Sequence, residues 1–454
     1  MRRFRNLFAT IRPTIIIGIF STVVIACMLI ARPQTVQADP PATEVKAQVA
    51  YPVTWSRFRG PNGTGYGTAA NLPDTWTKDD YLWTADLPGK GHSSPVVWRQ
   101  WLVTTSGLEE DGTRIVICLN SMTGEKIWEK RFASTTHEKH QNNSYASPSP
   151  VLDGRNVYTT MATPEQYTVV ALDMKSGDEI WRHELGPFNS EHGLGISPIV
   201  YGDLLIVPKE NLGRENQPGD SFIVALDRAT GKIRWKTERF NDFKTPYGTP
   251  CVRRTREGKE ELIFASEAHG IYALDPATGK EIWSHSQFNF RTVYSPQLTQ
   301  RDRVIAGSGS GGGGKTTILV RPPQQRDNKG IVTVEREFTA RAPYTPTPVV
   351  LGDLLFFWAD SGIAACHDLS RPADEETEVW LKRIGGRFFG SPVLVGDRLY
   401  CMSLEGKMYI LRASRQYEEP TIIDLGEPSS ATPAIASGIM YLRTQSKIMA
   451  LDGR

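Results

Sequence analysis

The chain reads as an all-β protein, one eight-bladed β-propeller of four-stranded antiparallel blades. Three observations predict this. The segment Ala273-Leu274-Asp275-Pro276-Ala277-Thr278-Gly279-Lys280-Glu281-Ile282-Trp283 recurs from Ala225 to Trp235, from Ala171 to Trp181 and, with Cys-Leu-Asn at its start, from Cys118 to Trp128. A second motif, Ser or Thr followed by Pro, opens eight successive repeats: Ser94, Ser149, Ser197, Thr249, Ser295, Thr347, Ser391 and Thr432. Both recur about every 50 residues, the period of a four-stranded propeller blade.

Each element follows from local chemistry. Pro is tolerated at the first residue of a strand, where its missing N–H breaks no ladder bond, so the Ser/Thr-Pro motif begins strand A. Turns such as Gly202-Asp203, Gly352-Asp353 and Gly396-Asp397 lead into strand B. The Asp or Asn of the first motif bonds backbone N–H groups two residues on, and its Gly supplies the left-handed turn between strands C and D. The Trp of strand D then leaves the same face of every hairpin, and Trp83, Trp128, Trp181, Trp235, Trp283 and Trp380 are expected to dock on neighbouring copies. Blade five lacks this Trp, with Ile331-Val332-Thr333-Val334 as its D strand, and blade seven is degenerate, with Tyr409-Ile410-Leu411 as C and Thr421-Ile422-Ile423 as D. The chain stops at Ala450-Leu451-Asp452-Gly453-Arg454, one strand short of a blade. The stretch Tyr81–Leu87 has the missing signature, so the N-terminal strand is expected to complete blade eight and close the ring.

Residues 1–38 read as a signal peptide or N-terminal membrane anchor, 39–54 as a flexible linker, and 55–454 as the propeller. The apolar run from Thr14 to Ala31 follows an arginine-rich start, and Val36-Gln37-Ala38 fits a cleavage site. Retention of the run as an anchor and lipidation at Cys27 remain open alternatives. All three export the folded part to the periplasm or cell envelope. Without the five arginines of the leader, 47 basic residues face 50 acidic ones. No basic stripe points to nucleic acid, membrane contact is expected only through the leader, and a monomer is expected.

The repeats resemble the tryptophan-docking repeat of the PQQ-like β-propeller superfamily, where PQQ is pyrroloquinoline quinone. Trp55-Ser56-Arg57-Phe58-Arg59-Gly60-Pro61-Asn62-Gly63-Thr64-Gly65 and Gly91-His92-Ser93-Ser94-Pro95 resemble an exported bacterial subgroup described as BamB-like. The resemblance implies eight blades and leaves function open, because the superfamily holds enzymes and scaffolds. Its quinone dehydrogenases carry a vicinal disulfide and a calcium site of Glu, Asn and Asp. Here Cys118, Cys251, Cys366 and Cys401 are dispersed, so neither PQQ nor calcium is expected, and no catalytic, cofactor or metal residue is assigned. Gly309–Thr316 matches the P-loop pattern but lacks the following helix that would hold phosphate; it reads as a flexible loop. His137 and His140 read as a solvated loop.

In a four-stranded meander the B–C and D–A loops share one face. The longest insertions, Lys209–Asp220, Ser308–Thr316 and Ala133–Ala146, fall there, and long loops on rigid scaffolds carry function. Tyr145, Tyr247, Tyr294, Tyr344 and Phe389 enter strand A from this face and are candidates for a collar around the channel mouth; inter-blade packing or a channel plug is the competing reading. His92, Asn143, Arg291 and Arg387 lie in the same loops. The expected role is a non-catalytic binding or assembly scaffold for envelope proteins or peptides. The alternative is a PQQ-dependent or related dehydrogenase.

Overall fold

The computed structural model describes residues 53–213, 219–240, 243–324 and 331–454. The leader and most of the stretch read as a linker therefore lie outside the described residues. One compact unit spans Ala50–Arg454.

Eight sheets form the unit. Blade 1 is built from Val96–Trp98, Trp101–Gly107, Arg114–Asn120 and Lys126–Phe132 as strands A to D. Blades 2 to 7 repeat this meander over 151–184, 199–239, 251–285, 297–338, 349–383 and 393–424. Strand A of each blade is short, two to four residues, strands B and C are mostly buried, and D alternates toward solvent. Blade 8 takes its strands A to C from Ala434–Ala436, Ile439–Arg443 and Lys447–Asp452, and three N-terminal strands are added: β1 (Thr54–Trp55), β2 (Tyr66–Gly67) and β3 (Tyr81–Asp86). β3 pairs antiparallel with Lys447–Asp452, so the first long strand of the unit is the last strand of blade 8. This removes the unpaired edge that an open ring would carry.

Indoles join the blades. Trp83 of blade 8 donates to the carbonyl of Ser121 in blade 1 at 3.0 Å; Trp128, Trp181 and Trp235 make the same bond to Met174, Arg228 and Pro276 of the following blade, at 2.9, 3.0 and 2.8 Å. Trp380 donates to Ser414 of blade 7 at 3.0 Å. Trp283 differs, donating to the carboxylate of Glu261 in its own blade at 3.0 Å. Glu261 is itself held by buried Arg253 at 2.7 Å, so the indole meets a paired charge.

A second ring lies at the axis. In seven of the eight strand-A motifs the Ser/Thr accepts a backbone N–H from the preceding blade. Seven such bonds occur among the described residues, at 2.9–3.2 Å: Ser94 to Ser149, Ser149 to Ser197, Thr249 to Ser295, Ser295 to Thr347, Thr347 to Ser391, Ser391 to Thr432 and Thr432 to Ser94. The last link crosses the closure.

The N-terminal segment enters the axis from the face of the A–B turns. β1 pairs with strand A of blade 1, and the carbonyl of Ser56 accepts from Leu152 of blade 2 at 2.8 Å. Asn62 exchanges two bonds with the backbone of Val252 in blade 4, at 2.8 and 2.7 Å. β2 then runs parallel to Val393–Val395 of blade 7. One stretch of chain thus fastens blades on opposite sides of the wheel and plugs its centre.

Candidate functional site: an axial cavity

Above the plug, on the face of the B–C and D–A loops, lies a cavity of about 610 Å³, within the usual range of ligand pockets. Phe58 of the plug contributes to its lining, and the ring hydroxyls Ser94, Ser149, Ser197, Thr249, Thr347, Ser391 and Thr432 line its wall. The residue two positions before each ring Ser/Thr also faces the cavity: His92, Ser147, Gly195, Tyr247, Val293, Thr345, Phe389 and Ser430. Period-two alternation of an extended chain explains this pattern.

That parity sorts the collar candidates. His92, Asn143, Tyr247, Arg291, Tyr344 and Phe389 line the cavity. Tyr294 does not. It stands one residue before Ser295, so its ring turns into blade 5, where it is 1% exposed and its hydroxyl meets that of Thr317 at 2.8 Å. Tyr145 lies outside the cavity; its hydroxyl donates to the carbonyl of His137 at 2.9 Å, and Arg114 lies 4.2 Å over its ring. Arg387 is exposed in the loop between blades 6 and 7 and paired with Glu405 at 2.9 Å. A collar that needs Tyr145, Tyr294 and Arg387 therefore does not form. The glycine run is also not a loop: Ser310 pairs with Gly313, and Val304–Ser310 and Gly313–Arg321 make one hairpin. Part of the Lys209–Asp220 insertion, 214–218, lies outside the described residues.

A polar cluster crosses five D–A loops. Arg291, buried, donates to Glu191, to Nε2 of His192 at 3.2 Å and to the Tyr344 hydroxyl at 3.4 Å. His192 stacks on His140 with centroids 4.4 Å apart, so His140 belongs to this cluster rather than to a solvated loop. Asn143 donates to the carbonyls of His192 and Leu194, the latter at 3.3 Å. Tyr247 and Ser190 share a hydrogen bond at 2.7 Å. Lys244 lies 3.7 Å from Glu191, and Asp360 accepts from Lys315 at 2.8 Å.

Burial dominates the titration of these groups. It lowers His192 to about 4, helped by Arg291, and lowers His92 to about 4, helped by Arg443. Both rings are neutral at pH 7. Burial raises Tyr247 to about 12. The cavity therefore offers neutral donors and acceptors, aromatic faces, and the charges of Arg291, Lys244, Glu191 and Asp360.

Sequence reasoning missed Phe58, His140, Glu191, His192, Lys244 and Asp360, which line the cavity. It found the ring Ser/Thr residues only as strand starts. The restriction of that position to hydroxyl side chains in all eight repeats was the available signal.

A family model described as the outer membrane protein assembly factor BamB matches residues 77–215 and 217–417. The 1-butanol dehydrogenase (quinone) of Thauera butanivorans is 28% identical over 139 residues, covering 27% of this chain and 20% of that protein. The polyvinylalcohol dehydrogenase of a Pseudomonas species is 23% identical over 290 residues, covering 56% of this chain and 40% of the other. The chain thus spans less than half the length of these curated relatives. The quinohemoprotein alcohol dehydrogenase of Comamonas testosteroni superposes with a TM-score of 0.58 over 90% of this chain and 82% of its own, at 13% identity, a likeness of fold. With both halves of the wheel matched by one family model, the chain belongs to the family described as the outer membrane protein assembly factor BamB, within the PQQ-like β-propellers.

Proposed function

We propose that the protein is a non-catalytic binding and assembly scaffold, exported to the bacterial cell envelope, which engages envelope proteins or peptides through the face of the B–C and D–A loops. The observation that carries this reading is the commitment of the cavity's charged side chains to one another. Glu191 serves Arg291 and Asp360 serves Lys315. Neither carboxylate stands as a general base beside an acid or a nucleophile. The cavity is built for recognition: a fixed polar cluster and aromatic faces on a rigid wheel.

A quinone dehydrogenase is the second reading, favoured by what the Thauera and Pseudomonas relatives are called. A quinone held over calcium needs converging oxygen donors. Among the described residues no three His, Cys, Asp or Glu side chains converge on one point. Cys118, Cys251, Cys366 and Cys401 are buried and separate. The side chains present do not fit that pair, and no reaction step follows through it.

The deciding experiment adds PQQ and calcium to the purified chain and follows dye reduction with primary alcohols. No turnover above a protein-free control is expected. Quinone-dependent turnover would overturn the scaffold reading.

A further inference from the structure

Among the described residues the hydroxyl ring at the axis is open at one joint, between blades 3 and 4. Six of the seven ring hydroxyls that line the cavity accept the backbone N–H of the blade before them. Thr249 is the seventh. Its hydroxyl has no hydrogen-bond partner among the described residues, and neither has the N–H of Ser197, which stands where the donor of that link belongs. Residue type does not explain the gap, because Thr347 and Thr432 close their own joints at 3.2 and 3.0 Å. Both sides of the gap are held in the ring: Ser197 accepts from Ser149 at 2.9 Å, and the Thr249 N–H donates to Ser295 at 3.0 Å. Both residues are 3% exposed, and both line the cavity. An N–H and an O–H therefore face one gap in the cavity wall with no acceptor between them. Buried donors left in this state are costly.

The charge beside the gap is positive. Arg57 of the plug is 7% exposed and donates to the carbonyl of Pro250, the residue after Thr249. Its Nε has no hydrogen-bond partner. No carboxylate among the described residues pairs with it. The ionisable group that acts on it is Cys251, whose thiol burial pushes up to about 12 and so keeps neutral. Burial lowers Arg57 only to about 10, so the guanidinium is charged at pH 7. Such a charge, buried without a counter-charge, is strongly felt over short distances in a low dielectric. The carboxylates of the cavity lining do not cancel it: Glu191 is held by Arg291 and Asp360 by Lys315. A water molecule would also bridge the gap, but it leaves the charge unanswered.

We infer that the open joint between blades 3 and 4 is a subsite for one oxyanion group of a small ligand, a carboxylate or a phosphate, which accepts from the Ser197 N–H and the Thr249 hydroxyl. Two fixed donors turned toward one negative oxygen make a strong, charge-assisted pair of bonds. An organic acid has room for its body in the rest of the cavity. An aromatic wall stands beside the joint: Gly195 precedes Ser197 by two residues, and a methyl group on it would lie 2.8 Å from the Tyr247 ring.

The test uses the full chain in detergent, isotopically labelled at its serine amides and titrated with acetate, phosphate, phenylacetate and chloride at matched ionic strength. The Ser197 amide resonance should move downfield and saturate, with a Kd of about 1 mM. The Ser391 amide, already spent on Thr432, should stay in place. Thr249→Val removes the hydroxyl without breaking a protein hydrogen bond among the described residues. It should leave the melting temperature unchanged and raise the Kd about 10-fold, and Thr249→Ser should restore binding. Phenylacetate binding tighter than acetate supports the inference and makes the occupant an organic acid; phosphate binding tighter than both supports it and makes the occupant a phosphate. A chloride shift equal to that of the oxyanions overturns the inference and assigns the effect to salt. No shift with any anion overturns it and leaves the joint to water. Unchanged affinity in Thr249→Val also overturns it, as does a marked fall in that variant's melting temperature, because the hydroxyl then has a partner in the protein. Quinone-dependent turnover would remove the scaffold reading and leave this subsite standing.

Discussion

Trp181 and Gly231 meet across the joint between blades 2 and 3. A methyl group on Gly231 would lie 2.6 Å from the indole ring, and the glycine has a φ of +70°. Gly231→Ala should therefore cost about 2–4 kcal/mol, from clash and backbone strain together. Trp181→Ala should cost about 3–5 kcal/mol, because it opens a cavity and removes one of the two donors, with the Tyr158 hydroxyl, that the Arg228 carbonyl accepts from. The double variant should cost less than the sum, since the alanine then has room, and equilibrium urea unfolding of the four proteins measures the coupling. Strict additivity would mean that the two residues do not share one contact. Glu210 gives a different residue-scale expectation. It is buried, accepts from Tyr272 at 3.3 Å, and is raised to about 7 by desolvation, with Arg239 opposing. The folded state favours the protonated acid. Its contribution to stability is complete below the ordinary glutamate range and is lost as pH rises toward about 7, at most about 3 kcal/mol. Glu210→Gln should flatten the fall in melting temperature between about pH 4.5 and pH 7. An unchanged pH profile would refute the assignment.

At the scale of the elements, the axial hydroxyl ring carries the clearest expectation. Ser94 accepts the backbone N–H of Thr432 at 2.9 Å, across the closure between blades 8 and 1. Ser94→Ala leaves that buried N–H without an acceptor, at about 1–3 kcal/mol. Ser94→Thr should restore most of the loss, since Thr occupies the same place in blades 4, 6 and 8; thermal melts of the two variants would compare them. The elements themselves were largely legible in the sequence, because their causes are local. An Asp and a Gly at fixed spacing make the C–D turn, a Pro opens strand A, and an orphan strand signature at Tyr81 pairs with a missing edge at Lys447. The cavity was legible only in part. Tyr247, Tyr344 and Phe389 were found by looking for aromatics near strand A, and the same rule wrongly admitted Tyr294 and Tyr145. Counting back two residues from each ring hydroxyl would have put Val293 on the wall in place of Tyr294. The polar cluster of Arg291, Glu191 and His192 joins residues about 100 positions apart, and no local spacing encodes such a meeting.

For the whole molecule, the plug decides whether eight blades behave as one body. Arg59 donates from all its nitrogens: to Gly63 and Thr64 within the plug at 3.2 Å each, to Pro348 of blade 6 at 3.3 Å, and to Pro392 of blade 7 at 2.8 Å. The same segment receives the amide of Leu152 from blade 2 at Ser56 and that of Leu394 from blade 7 at Gly65, each at 2.8 Å. A planar fork suits this task, because its donors reach several carbonyls at once while a lysine presents one compact ammonium. Arg59→Ala should leave buried carbonyls unpaired and a void on the axis, and Arg59→Lys should rescue little. If the segment is one clamp, both variants lose amide-exchange protection at Leu152 and Leu394 together, although these lie in different blades, while far-UV circular dichroism stays that of a β-protein. Trypsin should then cut after Arg57, which the native fold shields. Loss of protection at Leu394 alone would mean that the plug is held blade by blade, and that the wheel owes its unity to the indoles and hydroxyls between neighbours rather than to the chain crossing its centre.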